Sequence, residues 1–134
     1  MNFQKIGFIG LGLIGGSIAK KIKANCPETQ IYATAHHIET IQEAYKEGII
    51  ENSNLLSMSD FSECDCIFLC APVQRNLDYL AQLKDIIKKD CYITDVGSTK
   101  TEIHEEVIRL GMEANFIGGH PMTGSEKTGI SAAN

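Results

Sequence analysis

The sequence predicts an α/β fold built on a doubly wound parallel sheet, and three observations carry that prediction. Short apolar runs alternate with stretches of helical spacing along the whole chain. One run, CIFLCA at Cys66–Ala71, is apolar on both faces, as a central parallel strand is. The first run passes directly into Gly10-Leu11-Gly12-Leu13-Ile14-Gly15, a G-x-G-x-x-G turn that opens a helix. A strand, that turn and a helix in this order describe a Rossmann-type dinucleotide-binding domain.

The elements follow in order. Lys5–Ile9 is a short apolar strand ending at Gly10. Leu13–Ala24 has helical spacing, with Ile14, Ile18 and Ile22 four apart and expected on one face. Gln30–Thr34 reads as a second strand, and Glu39–Glu47 as a helix stopped by Gly48. The stretch Ile49–Asp65 predicts a brief strand and one helical turn. After the Cys66–Ala71 strand Pro72 interrupts, and Asn76–Lys88 returns to helical spacing through Leu77, Leu80, Leu83 and Ile87. Tyr92–Val96 is a strand, Thr99–Leu110 a helix and Asn115–Ile117 a last short strand.

The totals bound the rest. At 134 residues the chain is expected to form one domain, residues 1–134. Its 43% apolar and 22% charged residues are ordinary globular values. A net charge of −5, with no run of Lys or Arg, argues against a nucleic-acid partner. The five cysteines form no C-x-x-C pair and read as small buried hydrophobes rather than metal ligands or disulfides. The run IGFIGLGLIGGSIA is too short to span a membrane and too rich in glycine for a signal helix. No metal, no membrane and a cytoplasmic location are the expectations.

Within the glycine turn, Gly10 permits the tight bend, Gly12 lets backbone approach a pyrophosphate and Gly15 lets the helix pack closely on the sheet. Leu13 and Ile14 lie at the helix start, where backbone amides and the helix dipole favour an anion. Such sites carry an acid about twenty residues on, bonded to the ribose 2′-hydroxyl. The count from Gly15 reaches Ala35, then His36 and His37. With no carboxylate to repel a 2′-phosphate and an imidazole at His36 to bond it, the cofactor is expected to be NAD or NADP, with NADP tolerated and a preference for it open.

Ligands on such sheets gather at the carboxyl ends of the strands. Ala71, Pro72 and Val73 stand at one such end, and Asp95-Val96-Gly97-Ser98-Thr99-Lys100 at the next. Ser98 fits a helix N-cap as well as a chemical role, and Asp95 fits a turn former better than the alternative, a group that supports the site from behind. The third end leads into Gly118–Gly129, GGHPMTGSEKTG, poor in core residues and rich in proton-handling ones. An ordinary histidine titrates near ~6.5, so His120 could take a hydroxyl proton at neutral pH without special tuning. A lysine would need its pKa moved by roughly three units.

Together GLGLIGGSIA, the CAPV strand end, DVGSTK and GGHPMTGSEKTG resemble the amino-terminal domain of the prephenate dehydrogenase family, arogenate dehydrogenases included. The order and spacing match from Lys5 to the last residue. The resemblance implies oxidation of the ring hydroxyl of prephenate by NAD or NADP with loss of the ring carboxylate, giving the tyrosine precursor 4-hydroxyphenylpyruvate. It implies that His120 is the catalytic base, that Ser98 bonds the histidine or the hydroxyl, and that Ser125 and Glu126 line the substrate pocket. It also implies a helical carboxyl-terminal domain that builds a homodimer and supplies cations for the substrate carboxylates. The chain's two arginines, Arg75 and Arg109, do not obviously replace those cations. A charge-assisted bond to a carboxylate contributes about 1.5–3 kcal/mol. Arogenate as substrate, and a nucleotide-binding module without turnover, are the competing readings. GGHP and GSEK argue against a 3-hydroxyacid dehydrogenase or an imine reductase on the same type of sheet.

Overall fold

A computed structural model describes residues 3–96 and 100–116 of the chain. Four strands, β1 (Lys5–Ile9), β2 (Gln30–Thr34), β3 (Cys66–Leu69) and β4 (Tyr92–Asp95), pair in parallel in the order β2-β1-β3-β4. Four α-helices, α1 (Leu13–Asn25), α2 (Ile38–Lys46), α3 (Val73–Leu83) and α4 (Lys100–Leu110), alternate with them. No described helix is long and apolar enough to cross a membrane.

Alternation along the strands divides the core into two layers. Ile6, Phe8, Ile31, Ala33 and Phe68 face α1 and α2 through Ala19, Ile22, Ile41 and Ala44. Ile9, Ile67, Leu69 and Ile93 face α3 and α4 through Leu80, Leu83, Ile103 and Val107. Helices on both faces make the sheet doubly wound, as the sequence predicts. The Phe8 and Phe68 rings stack 4.7 Å apart between neighbouring strands. Gly7 leaves room for Phe61, carried by a 3-10 turn at Met58–Phe61: a Cβ on Gly7 would lie 2.5 Å from the Phe61 ring.

Several boundaries differ from expectation, each for a physical reason. α3 begins at Val73 rather than Asn76, because Pro72 caps the helix instead of ending it. A proline has no N–H to lose there, and the Pro72 carbonyl accepts from Arg75 and Asn76 at 2.9 and 3.0 Å. α3 stops at Leu83, where the N–H groups of Ile86 and Ile87 both turn back to the Leu83 carbonyl. The strand expected after Gly48 does not form. Glu51 makes one backbone bond to Ile31, 2.7 Å, and the side-chain amide of Asn52 then pairs with both N–H and C=O of Ala33 at 3.0 and 2.9 Å. A side chain thus finishes the free edge of β2.

Of the strand expected at Asn115–Ile117, the described residues form a parallel bridge between Phe116 and Ile93, and Ile117 lies outside them. Ile14 does not share the buried face of α1: it is 61% exposed against 8% for Ile22. The buried stripe is Gly15, Ala19 and Ile22. Gly48 does stop its helix, at φ +76°.

Candidate functional site

The carboxyl edge of the sheet is assembled around the first turn. Gly10 has φ +89°, a region that costs any other residue strain, and a Cβ there would sit 2.8 Å from the Ala71 nitrogen. The turn therefore passes directly against the exit of β3. The N–H groups of Gly10 and Leu11 both donate to the Thr34 carbonyl at 2.9 Å, which ties the same turn to the end of β2.

Beyond it, Gly12 caps α1 without a side chain, and a Cβ there would meet only the Gly10 carbonyl oxygen at 3.9 Å. Gly15 is buried, its missing Cβ leaving 3.1 Å to Cys70 Sγ. Leu13 is 94% exposed. The first helical amides have no intrahelical acceptor, and no acid stands in the first turn of α1. This is an open cradle of amides with a favourable dipole for phosphate, and its donors fit a dinucleotide pyrophosphate.

At the end of β2, Ala35 is half-buried against the core, whereas His36 and His37 are exposed with their rings edge-to-face 4.6 Å apart. Neither imidazole is built into the core. The Asn52 clamp on Ala33 fixes the strand from which this pair projects.

The ends of β3 and β4 are joined by a buried polar contact. Asn76, on the first turn of α3 and fully buried, donates through Nδ2 to the Ala71 carbonyl and to Asp95 Oδ1, each at 2.9 Å. Asp95 is therefore the buried last residue of β4 and not a turn former, which corrects the sequence reading. Beside it, burial and then the Asp95 charge push the Cys70 thiol up to about 12. Cys70 is a neutral packing group against Gly15, not a nucleophile.

Of the cofactor residues expected from sequence, Gly10, Gly12, Leu13, Ile14, Gly15, His36, Ala71 and Pro72 all stand along this one edge, and α3 starts at Val73. Ser98, His120, Ser125 and Glu126 lie outside the described residues. Asn76 and Asn52 escaped the sequence reading. For Asn76 a signal existed: it shares a helical face with Leu80 and Leu83, so a polar side chain there had to be buried.

Residues 18–134 match the family described as prephenate dehydrogenase, nucleotide-binding domain. The chain is 44% identical over 135 residues to the prephenate dehydrogenase of Lactococcus lactis subsp. cremoris, covering 98% of this chain and 37% of that protein. It is 39% identical over 137 residues to the prephenate dehydrogenase of Bacillus subtilis, covering 99% of this chain and again 37% of that protein. Among solved structures it resembles prephenate dehydrogenase from A. aeolicus in complex with hydroxyphenyl propionate and NAD+, with a TM-score of 0.80 and 30% identity. That match covers 98% of this chain and 46% of the other. The chain thus spans less than half the length of these relatives.

Proposed function

The chain belongs to the prephenate dehydrogenase family, and on that premise we propose that it is the cofactor-holding part of an oxidoreductase of tyrosine biosynthesis. The reaction is oxidative decarboxylation of prephenate to 4-hydroxyphenylpyruvate with NAD or NADP as acceptor. The observation that carries this reading is the open glycine cradle beside the β3 exit: Gly10 and Gly15 let the turn and helix pack against Ala71 and Cys70, and the space beside Gly12 stays open. A relative of the same fold has been solved with NAD+. When bound, the cofactor would accept a hydride from the substrate.

The chain's own residues supply binding and proton handling. The amides from Gly12 onward would hold the pyrophosphate, with Leu13 and Ile14 shielding it from water. Ala71, Pro72 and Val73 would border the ring end of the cofactor. His120 takes the proton of the ring hydroxyl as hydride leaves the same carbon. The bond to the ring carboxylate then breaks, CO2 departs, the electron pair of that bond makes the ring aromatic, and the phenolate oxygen so formed recovers the proton from His120. Ser98 bonds the histidine or that hydroxyl, and Ser125 and Glu126 line the pocket. Residues beyond this domain supply the cations for the substrate carboxylates and the dimer contact. Arg109 does not fill that role, since α4 carries it back to the amino edge of the sheet, where it pairs with Glu106. A cytoplasmic enzyme fits the five free thiols.

The test is His120→Asn in the complete enzyme carrying this domain. Loss of a general base lowers turnover roughly 10²–10⁴-fold, while the dissociation constant for NADH should stay within about threefold, roughly 0.7 kcal/mol. Turnover within a factor of two of wild type would remove the base from His120.

A further inference from the structure

We propose that Asn76 is a positioning residue for hydride transfer, its side-chain amide setting the spacing between the exit of β3 at Ala71 and the end of β4 at Asp95. The proposal rests on the dehydrogenase reading for its kinetic consequence, but not for its structural one.

Three observations carry it. Both protons of the Asn76 amide are used, one on the Ala71 carbonyl and one on Asp95 Oδ1, each at 2.9 Å. Both partners are acceptors, so the amide has one orientation, and turning it over would set oxygen against oxygen. In that orientation Asn76 Oδ1 is buried with no partner among the described residues. A buried acceptor left unpaired is a cost that a leucine, continuing the face of Leu80 and Leu83, would avoid. What the asparagine gains over a leucine there is the pair of contacts its two donors make.

What they hold is a row of strand ends. The Gly10 turn of β1 presses on the Ala71 nitrogen, the Ala71 carbonyl accepts from Asn76, and Asn76 donates to Asp95 of β4. The row crosses β1, β3 and β4 along the edge where the cofactor would lie. Asp95 stands three residues before Ser98 in the chain. Asn76 itself is fully buried and cannot touch a ligand. It acts through the residues on either side of it.

Two consequences separate this role from general packing. Affinity for a dinucleotide resides largely in the phosphate cradle at Gly10–Gly15, which Asn76 does not touch. Hydride transfer depends on the alignment of reacting atoms, where a misplacement of about 1 Å costs on the order of 10²-fold. Asn76→Ala in the complete enzyme should therefore lower kcat at least tenfold while the NADH dissociation constant moves less than threefold. By amide hydrogen exchange, Val96, whose N–H bonds the Leu69 carbonyl at 3.1 Å beside Asp95, should lose protection at least tenfold. Tyr92, whose N–H bonds the Asp65 carbonyl at 2.9 Å on the opposite edge, should change less than threefold.

If Asn76→Ala does not fold, Asn76→Ser is read by the same two measurements. A kcat within twofold of wild type, equal losses in kcat and affinity, or equal loss of protection at Val96 and Tyr92 would each overturn the proposal. A wild-type enzyme that binds NADH but does not oxidise prephenate would instead sink the dehydrogenase reading, and the exchange measurement would still decide the role of Asn76.

Discussion

The two edges of the sheet are built from the same four strands, yet they dispose of their polar groups in opposite ways. At the amino edge, among the described residues, polar groups from distant parts of the chain pair with one another. Asp65, just before β3, accepts the N–H groups of Gln4 and Lys5 at 2.8 and 3.0 Å and the ammonium of Lys88. The Asn115 amide donates to the carbonyls of Lys89 and Cys91 at 3.0 and 2.8 Å. The thiols of Cys64 and Cys91 are pushed up to about 12 by burial and stay neutral among the apolar groups. At the carboxyl edge Asn76 ties Ala71 to Asp95, but among the described residues the first amides of α1 have no side-chain cap, and Leu13, Ile14 and two imidazoles are exposed. The amino edge is tied together by its own side chains, whereas the described part of the carboxyl edge presents helix amides that could take a ligand.

The strongest way to break this contrast is to add one methyl group at each edge. Gly10→Ala forces a Cβ to 2.8 Å from backbone at positive φ, and backbone cannot rotate away. We expect a loss of about 3 kcal/mol or more, together with loss of NADH binding. Gly48→Ala, at φ +76° after the helix that returns to the amino edge, meets nothing within 4 Å. It carries only the left-handed backbone cost, about 1 kcal/mol, and leaves NADH affinity unchanged. Thermal unfolding and NADH titration of both variants check this. Equal effects on the two measurements would erase the distinction between the edges.

A smaller effect sharpens the amino edge. Burial of Asp65 opposes its ionisation, but the Lys88 bond and the Lys5 and Gln4 amides outweigh it and hold its pKa below the ordinary 3.8. Its contribution is therefore complete above that ordinary value and disappears as pH falls through the lower folded value. The hydrogen bond to Asp65 raises Lys88 above 10.5, so its share is lost only as pH rises through that higher value. At neutral pH Asp65→Asn should be about 1–2 kcal/mol less stable than the unaltered chain. The two should converge in acid below the ordinary carboxylate range, with NADH affinity unaffected at neutral pH. Denaturant unfolding across pH measures this, and a difference that persisted undiminished in acid would rule out the carboxylate as its source.

These contrasts also explain what could be read in advance. Apolar alternation and the glycine turn write the strands, the helices and the phosphate cradle directly into local sequence, because each depends on neighbours within about one helical turn. Leu80 and Leu83 show their buried face by spacing alone. Contacts between distant residues leave no such trace. Asp65 pairs with Gln4 across sixty-one positions, and Asn52 replaces a strand by gripping Ala33 nineteen positions away. Pro72 shows a second limit: the same residue ends one element or caps another, and only the α3 carbonyl pattern decides. Ile14 leaves the buried face of α1 because the close approach of Gly15 to Cys70 sets which face packs, and period alone does not carry that.

The smallest effect lies at the far corner of the carboxyl edge, where β2 ends in Ala35 instead of an acid. A carboxylate there would bond a ribose 2′-hydroxyl and repel a 2′-phosphate. Ala35 does neither, and the two exposed imidazoles that follow are free to turn toward an anion. We therefore expect NADP to bind at least as well as NAD. Replacing both His36 and His37 by Ala should cut the NADP-over-NAD ratio by about threefold, near 0.7 kcal/mol, the size of a screened, solvent-exposed contact. Ala35→Asp should move the ratio further in the same direction, since it adds both the missing bond and the missing repulsion. Titrations of the two cofactors at one ionic strength test both changes. NAD tighter by tenfold or more in the unaltered chain would show that another group reads the ribose, and would shift attention from β2 to the loop that Asn52 holds beside it.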